Sequence, residues 1–206
     1  IRLIDLSYPI EHEMTVYPGD SKVSLEQSHN FVDDGYSNHQ LTINMHAGTH
    51  IDGPMHLLPI ETYISDQPLE QFIGIGAILD VAGESEIDYK DSYEQLVPER
   101  CILLLHTGYG AYYGEERYYA QHPSLTEQFA QFLIRKQVKM IGLDMPSPDH
   151  YPYAIHTQLF KHHIFIAENL TNLEQLLHTS NFTVIALPLR IKADSSIARI
   201  IAQVHE

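Results

Sequence analysis

The sequence predicts a mixed α/β fold, a sheet packed with a few helices, and three observations lead there. Short apolar, β-branched runs recur at 77–81, 101–106, 138–144, 164–167, 182–189 and 197–204, each close to the length of a buried strand. Helical patterns fall between those runs and are not gathered at one end, as a sheet covered by helices requires. No repeat, low-complexity tract or linker divides the 206 residues, so residues 1–206 are expected to form a single domain.

Taken in order, residues 2–7 open with a strand, and Met14–Asp20 follow as a loop whose Pro18-Gly19 pair marks a turn. Leu41, Ile43 and Met45 alternate with Thr42 and Asn44, which predicts a half-buried strand delivering His46 at its end. Leu57 to Gly76 is irregular, with a helical turn near Leu69–Phe72, and then Ala77–Val81 reads as a buried strand. A short helix over Tyr93–Leu96 precedes a central strand at Cys101–His106. Tyr109–Tyr119 holds five tyrosines and reads as a loop that packs on the surface or covers a pocket.

Ser124 and Glu127 make a capping-box pair ahead of a helix whose apolar stripe is Phe129, Phe132 and Leu133. The strand Val138–Asp144 runs into Met145-Pro146-Ser147-Pro148-Asp149, where two prolines force a loop. A short helix at His156–Lys161, a buried strand at Ile164–Ala167, a helix at Leu173–His178 and strands at Phe182–Leu189 and Ile197–Val204 complete the reading.

Composition narrows the function. Twelve basic residues face 27 acidic ones, a formal charge of −15, which repels phosphate backbones and anionic membranes. No nucleic-acid partner is expected. No stretch approaches the roughly 20 apolar residues of a membrane helix, and Ile1–Asp5 carry no signal-peptide pattern. The single cysteine, Cys101, precedes an apolar run and reads as a core thiol in a reducing compartment. Cytoplasm is the expected location, which leaves the Asn169 and Asn181 sequons without weight.

One stretch stands apart. His46-Ala47-Gly48-Thr49-His50-Ile51-Asp52-Gly53-Pro54-Met55-His56 sets three imidazoles and a carboxylate in eleven positions. Imidazole and carboxylate are donors for zinc or, with more oxygen, manganese. The spacing is not that of a helical His-Glu-x-x-His site, because Gly48 and Thr49 weaken a helix there. It reads instead as a strand end and turn on which His50 and Asp52 share one side. Gly48 and Gly53 let the backbone turn or approach closely, and Pro54 fixes the chain before His56.

Other histidines set the background. Of the 14 in the chain, His12, His29, His39, His122, His178 and His205 lie in polar surroundings and read as surface residues. His156 and Glu168 flank the short helix and strand of the C-terminal third, where a strand end places Glu168 beside a cleft. His106 also ends a strand and could face that cleft.

These residues resemble the cyclase-type family of metal-dependent hydrolases, which includes bacterial kynurenine formamidases and isatin hydrolases. The His-x-Gly-Thr-His-x-Asp-x-Pro-x-His signature is present in full at His46–His56. Tyr17-Pro18-Gly19-Asp20, Gly76, Gly142–Asp149, His156 and Glu168 match as well. The resemblance implies a swivelling β/β/α domain, assembled as a homodimer or larger homo-oligomer. It implies two divalent cations, zinc first and manganese second: His46, His50 and Asp52 hold one, Asp52 bridges to the other with His156, and Glu168 binds both.

His56 is then the proton donor and acceptor, and Tyr17 faces substrate. The implied reaction is hydrolysis of a C–N bond in a small amide, with N-formylkynurenine giving kynurenine and formate as the leading candidate. Kynurenine formamidases characteristically carry tryptophan at the position of Tyr17, and this chain has none. Cyclic amides, imides, isatin-like lactams and lactones therefore stand as the alternative. A reading from a different class is a metal-stabilised binding protein without turnover, but structural zinc sites usually use thiolate.

Overall fold

A computed structural model describes residues 1–205. β1 (Arg2–Asp5) opens the chain. β2 (Ser24–His29) and β3 (Asn38–Thr42) form a separate antiparallel ribbon, joined through the single turn of α1 (Phe31–Asp34). β4 (His50–Asp52) carries the motif. β5 (Ile73–Asp80), β6 (Glu86–Ile87), α2 (Tyr93–Leu96) and β7 (Ile102–His106) follow. Then come α3 (Glu116–Ala120), β8 (Ser124–Leu125), α4 (Glu127–Arg135) and β9 (Met140–Leu143). The last elements are α5 (Ala154–Lys161), β10 (Phe165–Glu168), β11 (Phe182–Ile185), β12 (Ser195–Ile197) and β13 (Ile201–Val204).

Nine strands make one mixed sheet in the order β1-β13-β11-β5-β7-β9-β10-β4-β12. Its centre, β5-β7-β9-β10, is parallel, and the pairs on either side are antiparallel. Alternation sends the two sides of each central strand into different cores. Leu103 and Leu105 of β7 join Ile141, Leu143 and Ile166 beneath Phe129, Phe132 and Leu133 of α4 and Leu159 and Phe160 of α5. Ile102 and Leu104 turn the other way, towards Met140, Phe165, Ile51, Val184, Ala202 and Ile4. Residues from both wings meet in that second core, so the curled sheet covers its own opposite face. The mixed α/β expectation holds.

Close approach decides two glycines. A Cβ on Gly76 would sit 2.1 Å from the Phe182 ring, and one on Gly142 would meet Leu104 and Leu170 at 2.6 and 2.7 Å.

Several expectations are corrected. The strand foreseen at Leu41–Met45 lies at Asn38–Thr42, is exposed throughout, and ends before the motif; His46 is reached through a turn in which Ala47 N–H donates to Asn44 O. Alternation failed there because the ribbon has no buried face. Thr126, not Ser124, caps α4, its hydroxyl accepting from Phe129 N–H at 3.2 Å. Ser124 is held in a bridge to Glu86 instead. Leu173–Leu176 is one 3-10 turn, and the segment 197–204 is divided between β12 and β13. Part of the tyrosine-rich loop is α3, with Tyr118 fully buried.

Candidate metal centre and active site

Register builds the site. β4 lies between β10 and β12, with His50 opposite Glu168 and Ser195 opposite Asp52. Because side chains alternate, His50, Asp52 and Glu168 emerge on one face while Ile51 and Ala167 enter the second core. α5 crosses above that face and brings down His156. Two glycines permit the turn: Gly48 has φ +63°, and a Cβ on Gly53 would stand 2.6 Å from the Asp194 carbonyl oxygen.

The structure brings together all five sequence-predicted ligands. His46 Nδ1 lies 2.9 Å and His50 Nε2 3.3 Å from Asp52 Oδ1, and His50 Nε2 is also 3.3 Å from Glu168 Oε2. On the other side His156 Nε2 is 3.8 Å from Asp52 Oδ2 and 3.2 Å from Glu168 Oε1. Each carboxylate thus turns one oxygen to each of two neighbouring positions. His50 Nε2, Asp52 Oδ1 and Glu168 Oε1 are buried with no hydrogen-bond partner among the described residues. Orphaned buried polar atoms are costly; His50 Nε2 and Asp52 Oδ1 face one position and Glu168 Oε1 the other, a donor set that fits divalent cations.

The outer nitrogen of each imidazole is held by oxygen, which sets its tautomer. His50 Nδ1–H donates to Gly48 O at 2.8 Å, and His156 Nδ1–H to Asp149 Oδ1 at 2.6 Å. His46 Nε2–H donates to Asp194 Oδ2 at 2.9 Å. These bonds leave His50 Nε2, His156 Nε2 and His46 Nδ1 facing inward as donors.

Without metal, the cluster is a charge-paired one. Burial opposes the positive charge on His46, but Asp52 and Asp194 outweigh it and raise the imidazole to about 9. His50 and His156 are raised despite burial, the first mainly by Asp52, the second by Asp149, Asp52 and Glu168. Asp52 is held well below the usual carboxylate range, since its imidazole neighbours outweigh the burial that favours its neutral form.

A cavity of about 250 Å³ opens over these groups, lined beyond them by Tyr17, Asp20, Leu57, Tyr119, Pro146 and Tyr153. His56 stands at its side, its ring centroid 4.3 Å from that of His46 and 6.4 Å from that of His156. One donor atom from each of His46, Asp52 and His56 falls within the reach of a single ion, as does one from each of His50, Asp52 and Glu168. Tyr17 lies on the rim, 38% exposed and edge-on to Tyr119 at 5.6 Å. A hydrogen bond to Tyr153, followed by burial, pushes its hydroxyl up to about 12.

Two histidines depart from expectation. His106 pairs with Asp80 at 2.8 Å and lines a different cavity with Gly108 and Asp144. His122 is 4% exposed, stacked on His150 at 4.0 Å, and burial lowers it to about 4. Two residues went unnoticed in the sequence. Asn169, in the dismissed sequon, is buried and ties the motif turn by donating from Nδ2 to Gly48 O at 2.8 Å. Asp194 meets both His46 and His56; it lacks any spacing signal, because strand pairing alone brings it there.

A candidate metal centre embedded in a curled mixed sheet defines the class of protein. The Cyclase family model matches residues 4–150, and the chain belongs to the cyclase family. Kynurenine formamidase of Bacillus cytotoxicus is 33% identical over 203 residues, covering 96% of this chain and 95% of the relative. That of Bacillus cereus is 34% identical over 205 residues, covering 95% and 94%. Among solved structures, isatin hydrolase A from Labrenzia aggregata bound to benzyl benzoate has a TM-score of 0.85 at 22% identity, over 100% of this chain and 94% of that one. A potential metal-dependent hydrolase with cyclase activity has a TM-score of 0.82 at 20% identity, over 100% and 98%. These two likenesses show the fold.

Proposed function

We propose that residues 1–206 act as one metal-dependent hydrolase domain that cleaves the C–N bond of a small amide, N-formylkynurenine being the leading substrate. The observation that carries this reading is the cluster of His46, His50, Asp52, His156 and Glu168, three of whose buried donor atoms are unpartnered, with the His56 ring against His46. Kynurenine formamidases similar over nearly the whole chain supply the substrate class.

His46, His50, Asp52 and Glu168 would hold one cation, and Asp52, His156 and Glu168 a second. Nitrogen and oxygen donors without thiolate suit zinc, with manganese next. A bound cation supplies Lewis acidity, polarising the carbonyl and lowering the pKa of water from about 15.7 towards 7. The chain's own residues do the rest. Tyr17 and Tyr119 form an aromatic wall for an aryl ring. His56 takes a proton at the nucleophile and returns it to the leaving nitrogen, a role worth roughly 10²- to 10⁴-fold.

Tyr17 in the place of tryptophan supports a second reading, an isatin-like lactam, imide or lactone as substrate. Metal analysis of the purified protein, followed by a panel of N-formylkynurenine, formanilide, isatin and simple lactones, tests both. Metal bound with formamide turnover upholds the first reading; metal bound with ring opening only moves the assignment to the second.

The assembly proposed is a homodimer or larger homo-oligomer. It is supported by the β2–β3 ribbon, which leaves Phe31 and Val32 72% and 92% exposed, and sedimentation of the purified protein tests it. No helix among the described residues is long and apolar enough to cross a membrane. A cytoplasmic location is proposed on the lone, buried Cys101.

A further inference from the structure

The outermost acid of the cluster has a place in the fold that its neighbours explain. Asp194 immediately precedes β12, whose Ser195 pairs with Asp52. Two backbone hydrogen bonds fix it: Gly53 N–H donates to Asp194 O at 3.2 Å and Ile64 N–H donates to Ala193 O at 2.9 Å, an approach that the missing Cβ of Gly53 leaves open. Its Oδ2 atom accepts from His46 Nε2–H at 2.9 Å and from Ser195 Oγ–H at 3.1 Å, and lies 3.3 Å from His56 Nδ1. One carboxylate oxygen therefore faces both a proposed metal ligand and the proposed proton carrier.

We propose that Asp194 is the positioning residue of this site, fixing His56 in the Nδ1–H tautomer so that Nε2 is the atom that exchanges protons in the cleft. The proposal rests on the hydrolase reading for its kinetic consequence, but not for its structural content. A carboxylate facing Nδ1 removes that nitrogen from proton traffic and stops the ring from turning over. Because the same oxygen holds His46, ring orientation at the proton carrier and at the metal ligand is set from one point. Ser195, donating to that oxygen, keeps the carboxylate from rotating away.

The test uses zinc-loaded protein carrying Asp194→Ala or, should the alanine variant fold poorly, Asp194→Asn. At saturating zinc, kcat for N-formylkynurenine falls about 10- to 100-fold while KM stays within about 2-fold. In a His56→Ala background the same Asp194 change lowers kcat by a smaller factor than with His56 present, since only its hold on His46 is then lost. Long-range proton–nitrogen correlation spectra, with His56 assigned by its loss in His56→Gln, show the Nδ1–H form in the unsubstituted protein and a tautomer mixture without Asp194.

Recovery of full kcat on adding zinc, equal losses in both backgrounds, or an unaltered His56 spectrum would each overturn the proposal. If the unsubstituted protein hydrolyses nothing, the hydrolase reading fails, and the spectrum still decides the role of Asp194.

Discussion

The inner and outer halves of the site share imidazoles and carboxylates but differ in their access to water. Side chains of Asp52, His50, His156 and Glu168 are 2–7% exposed, whereas His46, His56 and Asp194 are 23–34% exposed. Inside, a charge has no solvent to fall back on, so every group must be matched by an opposite charge, by a proton or by a cation. Outside, water substitutes for a lost partner, and protons can come and go. Under the proposed reading the difference sets cation holding, centred on the inner half, apart from proton transfer at His56, with His46 standing between the two.

The largest effect should come from the inner half. Glu168→Ala removes both oxygens that face the two positions, and we expect metal content to collapse and turnover to reach background, measured by elemental analysis of the same sample used for kinetics. Full activity with normal metal would erase the distinction between halves. His56→Ala should instead keep its metal while kcat drops roughly 10²- to 10⁴-fold. Metal lost along with activity would mean that His56 is a ligand, as its proximity to His46 and Asp52 permits.

Protons sharpen the comparison further. In chelated protein, the raised His46 contributes stability that is fully present below its ordinary value of 6.5 and is lost as pH rises through about 9. His50 and His156 act in the same direction. The lowered Asp52 works oppositely, contributing above 3.8 and losing its contribution as pH falls. Metal-free protein should therefore melt at lower temperature at about pH 9 than at about pH 6. Zinc needs the imidazoles deprotonated, so the stabilisation it adds should grow over the same interval. Scanning calorimetry with and without chelator measures both; parallel curves would mean that zinc does not compete with these protons.

How much of this was legible in the sequence follows the same division. The motif from His46 to His56 is local, and its candidate metal donors could be read from residue type and clustering; their division into ligands and proton carrier, with His156 and Glu168, came from the family resemblance, and β-strand register explains why Glu168 faces His50. Asp194 could not be read. It precedes a three-residue strand, and only the pairing of β12 with β4 carries it 148 positions along the chain to His46. The β2–β3 ribbon escaped for the opposite reason: β3 is exposed throughout, so the alternation of Leu41, Ile43 and Met45 pointed to a buried face it does not have and misplaced the strand. His122 looked like a surface residue because the stacking that buries it, on His150, is also non-local. Burial of the central strands was readable since both of their faces are apolar.

The smallest effect belongs to the outermost wall. Tyr17 stands on the cavity rim, 38% exposed, and is held edge-on by Tyr119. An aromatic contact of this kind is worth about 0.5–1.5 kcal/mol beyond the area it buries. Tyr17→Ala should therefore raise KM for an aryl formamide about 3- to 10-fold while leaving kcat within about 2-fold. Tyr17→Trp, offering a larger face at the same position, should lower KM for N-formylkynurenine relative to the tyrosine form. If Tyr17→Ala lowers kcat with KM unchanged, the ring acts on the reacting atoms and not on binding, and the rim would have to be counted with the proton-moving half. If tryptophan improves isatin opening but not formamide cleavage, the aromatic wall serves the fused ring of a lactam, and the second reading of the substrate gains over the first.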